Sequence, residues 1–346
     1  MEAEPGRMGD EPGLTVVAAS RNDEHGGHLL ARMQVFVNGL AEQSERFGFP
    51  LELIVVEWNP PADRALLVEA LRWPVSAMFQ PRIITVPREV HSSFSNANLL
   101  PLYQMIAKNV GIRRARAPFV LATNIDILLS DDLFELICAG LKPKALYRVD
   151  RRDVVAPLQR DPLPSPAECR ALPALRRHGI DGTTPKPSPT TRRLQDLPQL
   201  VGAILDRVAL PRLHTSGCGD FTLTSREVWA SLRGYPEWPI FSWQLDGLPL
   251  YQAFAGGVQM INLADPMVAI HLEHSLGSGW TPEGSSALFD RLRRAGIPYL
   301  STREYRAIAR KLVRGRGFQP FNGDDWGLAS QELEATYPQH SAGGRY

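Results

Sequence analysis

From Leu14 onward, short apolar runs rich in β-branched residues alternate with segments whose apolar residues recur at helical spacing. That alternation points to an α/β architecture in which a mainly parallel central sheet is flanked by helices. Strands are expected over residues 14–19, 51–56, 82–86 and 119–123. Between the first two, Leu29, Leu30, Met33, Val37 and Leu40 mark a helix, and a second helical run follows Asp63 with Leu66, Leu67, Ala70 and Leu71. Pro101 suits the first turn of a third helix reaching about Arg114. With 346 residues, 44% of them hydrophobic, the chain has the apolar mass for one large α/β core or two ordinary ones.

After a further strand at 145–149 the pattern breaks. Residues 157–200 hold nine of the 29 prolines, with paired arginines at Arg176, Arg177 and at Arg192, Arg193. This is an insertion: either a lid or acceptor-binding loop, or a disordered segment. Globular patterning resumes with a helix over 197–208, a strand at 221–224, helices from Ser225 and over 245–255, and strands at 258–263 and 267–271. The last 45 or so residues read as helical and then as a polar tail.

Composition removes several classes of function. Lys plus Arg number 38 against 37 Asp plus Glu, so the chain lacks the basic excess of a nucleic-acid binder. The three cysteines, Cys138, Cys169 and Cys218, are far apart and outside any CxxC or Cys/His cluster, which excludes a structural zinc site and fits reduced thiols in the cytosol. No run approaches the roughly 18 apolar residues of a membrane span, so a cytoplasmic protein is expected, with any membrane association peripheral at the inner face. The glycine loops of the common nucleotide folds are also missing: neither GxGxxG nor GxxxxGK[ST] occurs, nor does GxSxG or HExxH.

What remains is a constellation around the fourth strand. It runs into Asn124, Ile125 and Asp126, placing a carboxylate at the carboxyl end of a central strand, where open α/β sheets hold their ligands. Ser130 then reads as a helix N-cap, with Asp131 and Asp132 in the first turn answering the helix dipole.

These residues resemble the family 2-like glycosyltransferases of GT-A fold. The resemblance rests on Lys108, Asn109, Val110, Gly111, Ile112, Arg113, Arg114, Ala115 before the strand, and on Asn124-Ile125-Asp126 in the place of a DxD motif. Upstream it takes in Ala19, Ser20, Arg21, Asn22 and Leu53, Ile54, Val55, Val56, Glu57, Trp58, Asn59; downstream, Gly219, Asp220, Phe221 and Arg226, Trp229, Arg233, Gly234, Tyr235, Pro236, Glu237. Each motif is short, and their shared order over residues 14–280 is the more specific signal.

The resemblance implies a GT-A-like single domain with a nucleotide-diphosphate sugar donor, a UDP-sugar first, and a carbohydrate or other hydroxyl acceptor. It further implies a divalent cation, Mn2+ or Mg2+, held by Asp126 and a late histidine, His271, with His274 as alternate. Asn124 departs from the motif by offering a neutral amide, which leaves three readings: a lower metal affinity, Asn124 contacting the sugar while Asp126 alone holds the cation, or an enzyme that needs no metal. Arg21, Asn22, Glu57 and Asn109 are carried to the donor site. Asp246 is carried to the general base, with Glu237 in reserve and Asp220 shaping the acceptor or sugar pocket.

For each residue a structural role stays open: a hydrogen-bonded core histidine at 271 or 274, helix capping at Asp246, a surface role at Glu57. Trp238 and Trp243, with Tyr235 and Phe241, are either core or a stacking surface for sugar rings. Trp280, in the turn Ser275-Leu276-Gly277-Ser278-Gly279, is either a gate over the diphosphate or part of an ordinary loop.

The expected organisation is therefore a flexible tail (1–13), a donor-binding half (14–150), the insertion (157–200), an acceptor half (201–300) and a helical C-terminal extension (301–346). The expected function is inverting, metal-dependent glycosyl transfer. Its rivals are a sugar-phosphate nucleotidyltransferase, disfavoured because Ser20–Gly27 has no lysine, and a non-catalytic sugar-nucleotide-binding protein.

Overall fold

The computed structural model describes residues 11–184, 210–274 and 285–338. In chain order its strands are β1 (Leu14–Ser20), β2 (Leu51–Trp58), β3 (Phe79–Val86), β4 (Phe119–Thr123), β5 (Ile127–Leu129), β6 (Ala145–Val154), β7 (Arg176–Gly179), β8 (Gly182–Thr184), β9 (Phe221–Ser225), β10 (Gln259–Leu272) and β11 (Ala335–Thr336). The helices are α1 (Leu29–Arg46), α2 (Leu67–Ala70), α3 (Arg88–Ser92), α4 (Gln104–Arg113), α5 (Asp131–Ala139), α6 (Pro166–Ala171), α7 (Arg226–Leu232), α8 (Leu248–Ala255), α9 (Ser285–Arg294) and α10 (Thr302–Gly315). The class read from the sequence is the one observed: α/β, with a large central sheet flanked by helices.

The sheet runs β11-β3-β2-β1-β4-β9-β6-β10-β5, with β7 and β8 added beside β6. From β3 to β4 it is parallel, as the alternation of strand and helix requires. Beyond β4 it becomes mixed. β9 is antiparallel to both β4 and β6, while β6 and β10 are again parallel. Strands 258–263 and 267–271 prove to be one strand, whose pairing with β6 shifts register between Leu263 and Val268. The run after Asp63 forms only the single turn of α2.

Both faces of the parallel half are covered, which is why β1 and β2 are buried at every residue rather than at alternate ones. Val16, Leu53 and Leu121 pack beneath α1 and α5, through Met33, Phe36, Val37 and Phe134. Their neighbours Val17, Ile54 and Val120 pack beneath α4, α7 and α8, through Ile106, Val110, Trp229 and Leu250. At about 1.5–3 kcal/mol for each buried large apolar side chain, these two layers are the main source of stability. The expected cap is present: Ser130 Oγ accepts the Leu133 N–H at the start of α5.

The insertion is structured as far as residue 184. A capping box at Ser165 and Glu168 starts α6, which seats Cys169 in a small apolar cluster with Leu128, Val154 and Ile270. The β7–β8 hairpin then pairs with the far end of β6. The rest of the insertion, the helix expected over 197–208, and Trp280 lie outside the described residues.

One side-chain lock joins α4 to the segment after α7. Asn109 Nδ2 donates to the Tyr235 carbonyl at 2.8 Å and to Glu237 Oε1 at 3.0 Å, while Oδ1 accepts the Tyr235 N–H at 2.8 Å. Gly234 makes this approach possible, since it has φ +71° and a Cβ there would lie 2.2 Å from Asn109 Oδ1. Replacing Asn109 by Leu strands the buried Tyr235 N–H, while the Tyr235 carbonyl keeps Asn322 Nδ2 at 2.6 Å, and is expected to cost about 1–3 kcal/mol. Gly234→Ala adds a clash and backbone strain and is expected to cost at least about 1–3 kcal/mol. Urea denaturation of each variant measures both; wild-type stability in either would disprove the lock.

Candidate active site

The carboxyl ends of β1 and β4 and the amino end of β9 meet at one edge of the sheet, and the ends of β6 and β10 arrive beside them. They surround a cavity of about 700 Å3 whose lining includes Arg21, Asn124, Asp126, Asp220, Trp243, Asp246, His271 and His274. Eight of the residues singled out in the sequence are thus brought together from five segments.

Register explains how. β5 begins one residue after Asp126 and runs antiparallel to β10, so His271 pairs with Ile127, and the Leu272 N–H donates to the Asp126 carbonyl at 2.9 Å. On its other side β10 sets His271 opposite Asp153 of β6. The Asp126 carboxylate, 4% exposed, accepts a 2.5 Å hydrogen bond from Arg32 Nη1 of α1. His274 Nε2 lies 3.3 Å and His271 Nε2 3.8 Å from the same carboxylate oxygen. His271 Nδ1 faces Asp153 Oδ1 at 3.2 Å and Glu273 Oε2 at 3.5 Å.

These contacts govern charge. Burial opposes ionisation of Asp126, but His271, His274 and Arg32 outweigh it and hold the carboxyl well below its usual range. Burial likewise works against a charged His271, yet Asp126, Asp153 and Glu273 raise its pKa to about 9. Asp153 in turn is braced by Arg151, Arg176 and His178, the last two delivered by the insertion hairpin.

Asn124 has both ends of its amide engaged. Oδ1 accepts from Gln104 Nε2 and from the buried Lys108 Nζ, each at 2.8 Å, and Nδ2 donates to Asp220 Oδ1 at 2.6 Å. A carboxylate at position 124 would face Asp220 without the donor that this contact needs, which is a physical reason for the neutral residue. Lys108 also donates to the Gly219 carbonyl at 2.7 Å, and burial lowers its pKa to about 8 against the pull of Asp220, Asp246 and Asp126.

Across the cavity, Asp246 sits in a 3₁₀ turn, Leu245–Gly247, on a chain that enters through Gln244 at φ +70°. Burial raises its pKa, against the Cys218 hydrogen bond and Lys108. Gly219 passes so close that a Cβ would lie 2.9 Å from Asp246 Oδ2. A half-buried carboxyl with a raised pKa, lining a cavity, is suited to accept a proton.

Four candidates lie outside this lining. Asn109 and Glu237 belong to the lock described above, where Glu237 also accepts the Gly327 N–H at 2.6 Å. Asn22 donates to the Ala65 carbonyl at 2.8 Å. Glu57 is fully buried and receives the Leu67 N–H on both oxygens at 3.0 Å, capping α2 from the strand below. Of the aromatic residues, Tyr235 is core against Trp229 and Trp238 packs edge-on to Phe321, whereas Trp243 and Phe241 line the cavity. Arg21 donates to the Asn59 carbonyl at 2.7 Å and is shared with a second, more open cavity of about 970 Å3 beside Asn59, Arg88 and His91.

The sequence alone gives no site role to Arg32, Arg151 and Asp153, and Lys108 enters there only as part of a motif. Arg32 and Lys108 carried a signal: each stands beside the apolar stripe of its helix, where a charge needs a buried partner. Arg151 and Asp153 lie beyond the expected end of β6 and carried none.

No protein-family model and no curated protein matches the sequence. Among solved structures, the chain is similar to S. aureus TarS residues 1–349, with a TM-score of 0.43 and 13% identity over 75% of this chain and 60% of that one. A second TarS structure gives a TM-score of 0.41 at 14% identity over 75% of this chain and 36% of that one. The catalytic domain of Drosophila β1,4-galactosyltransferase 7 in complex with xylobiose gives 0.33 at 11% identity, over 76% of this chain and 69% of that one. The chain thus spans 60% and 36% of the lengths of the two TarS chains.

The buried Glu57 makes stability depend on pH. Burial, opposed by the Leu67 hydrogen bond, raises its pKa from 4.5 to about 7. Below pH 4.5 the group is protonated folded or unfolded and costs nothing; as pH rises to about 7 only the unfolded chain ionises, so stability falls by roughly 3 kcal/mol. Glu57→Gln is expected to remove that decline from Tm measured between pH 5 and pH 8; an unchanged profile would contradict it.

Proposed function

We propose that the protein is a GT-A-like glycosyltransferase that moves a sugar from a nucleoside diphosphate, a UDP-sugar first, to a hydroxyl acceptor, with inversion and with Mn2+ or Mg2+ bound. The observation that carries this reading is the Asp126, His271 and His274 cluster, whose ligand atoms lie within 4.8 Å of one another, in the same cavity as Asp246.

The residues fit a cation by their donor chemistry. One carboxylate and two imidazoles suit Mn2+ well and Mg2+ less well. Asp153 on His271 Nδ1 is the partner that would turn Nε2 toward a metal, while Arg32 donates to Asp126 Oδ2, the oxygen that both histidines approach, so a cation there would share that oxygen with Arg32 or take Oδ1. When bound, the cation would offset the charge that grows on the departing diphosphate.

The chain's own groups supply the rest. Asp246 takes the proton of the acceptor hydroxyl as its oxygen bonds to the anomeric carbon and the bond to the phosphate oxygen breaks. Trp243 offers a face to the apolar side of a sugar ring. Arg21 grips donor phosphate from the rim between the two cavities, putting the nucleoside on the Asn59 side. Asn124, fixed by Lys108 and Asp220, holds the pocket floor beside the sugar.

The test is a panel of UDP-, GDP- and dTDP-sugars assayed by thermal shift and by release of nucleoside diphosphate, with Mn2+, with Mg2+ and with chelator. One donor is expected to stabilise the protein and turn over only with metal; binding without turnover under every metal would favour a non-catalytic protein instead. Asp246→Asn is expected to lower kcat about 10²–10⁴-fold with donor binding kept. Asp153→Asn is expected to weaken Mn2+ binding about 10–100-fold, read by calorimetry. Full activity of Asp246→Asn would remove the base assignment, and unchanged Mn2+ affinity of Asp153→Asn the orienting role.

A further inference from the structure

The chain is nearly neutral overall, yet its charge is unevenly placed. Residues 285–316, spanning α9 and α10, carry nine Lys and Arg against only Asp290 and Glu304, leaving 29 against 35 in the rest of the chain. Secondary structure sharpens the asymmetry. On α10 the apolar residues Tyr305, Ile308, Ala309 and Leu312 turn into the protein, where Ala309 and Leu312 are buried against Tyr251. Arg303, Arg306, Arg310 and Arg314 recur at spacings of three and four on the opposite side, with Lys311 flanking them and Arg316 just beyond.

Arg303, Lys311, Arg314 and Arg316 are exposed, and among the described residues no ion pair holds any of them. Two exposed aromatics stand at the end of this stripe. Phe254 is 41% and Phe318 38% exposed; Phe254 lies at the end of α8, and Phe318 packs on Gly256 just after it, where the Gly317 N–H donates to the Ala255 carbonyl at 2.7 Å. The other end of α10 reaches the cavity: Tyr305 lines it, and Thr302 accepts a hydrogen bond from Gln244, two residues before Asp246.

We propose that this face adsorbs to an anionic lipid bilayer. The basic stripe would lie on the headgroups with Phe254 and Phe318 at the interface, and the Asp246 side of the cavity would face the membrane. A row of cations matched to a negative surface gains roughly 1 kcal/mol per charge, about fivefold in partitioning, and exposed aromatics beside it add the interfacial contact that a purely ionic partner does not use. A bilayer occupant also explains why α10 keeps its apolar side for the protein: it docks by its charged side and does not insert. The proposal concerns adsorption alone and stands or falls separately from the glycosyltransferase reading.

The experiment is co-sedimentation of the full chain with phosphatidylcholine vesicles, with vesicles containing phosphatidylglycerol, and with soluble polyphosphate as competitor. The comparison is with the variant Arg303→Gln, Lys311→Gln, Arg314→Gln, Arg316→Gln, checked for wild-type thermal unfolding. The wild type is expected to bind only the anionic vesicles, more weakly as salt rises, and the variant to bind them at least about 50-fold less. A second variant, Phe254→Ser with Phe318→Ser, is expected to weaken vesicle binding and leave polyphosphate binding unchanged. Equal binding to both vesicle types, wild-type binding by the fourfold variant, or capture of polyphosphate with no vesicle binding would each overturn the proposal.

Discussion

A buried carboxylate is stable only if its charge is answered, and the whole cavity edge is arranged around answering Asp126. Arg32 reaches it from α1 with a side chain 2% exposed, and His271 and His274 reach it from the end of β10. Removing Arg32, which makes the shortest of these contacts, leaves the charge only partly answered in a low-dielectric place, which costs up to several kcal/mol. Three elements distant in sequence are therefore tied to one atom group, and the cavity inherits their rigidity.

The same demand spreads outward. Without a metal Asp126 favours the protonated form of His271, whose other side faces Asp153 and Glu273, and Asp153 is met in turn by Arg151, Arg176 and His178. Two of those come from the hairpin of the proline-rich insertion, which gives that segment a structural part in the site. Asp220 meets Arg151 on one oxygen and the Asn124 amide on the other. The neutral residue in an otherwise DxD-like run is thus fitted to its neighbour.

How much of this was legible depended on range. The four parallel strands and α1 were legible because burial on both faces writes continuous apolar runs and helical periodicity directly into the sequence. Asp126 was legible from its place at a strand end. The mixed half was not, because the pairing of β9 between β4 and β6 is a long-range choice that period-2 patterning does not encode. Glu57 and Asn109 show the converse limit. Both are buried polar residues flanked by motif-like neighbours, and only coordinates reveal that one caps α2 and the other locks Gly234 and Tyr235. Arg32, a lone charge beside the apolar stripe of α1, is answered by the buried Asp126 from 94 residues away.

The most direct measurement is a crystal structure with Mn2+ and a nucleoside diphosphate, read by anomalous scattering. His271 belongs to two possible ligand sets, one with Asp126 and His274 and one with Asp153 and Glu273. The account expects a single Mn2+ peak on Asp126, His271 Nε2 and His274, with diphosphate oxygens completing it and Asp246 across the cavity. A peak on Asp153 and Glu273, or diphosphate bound with no metal beside Asp126, would contradict it.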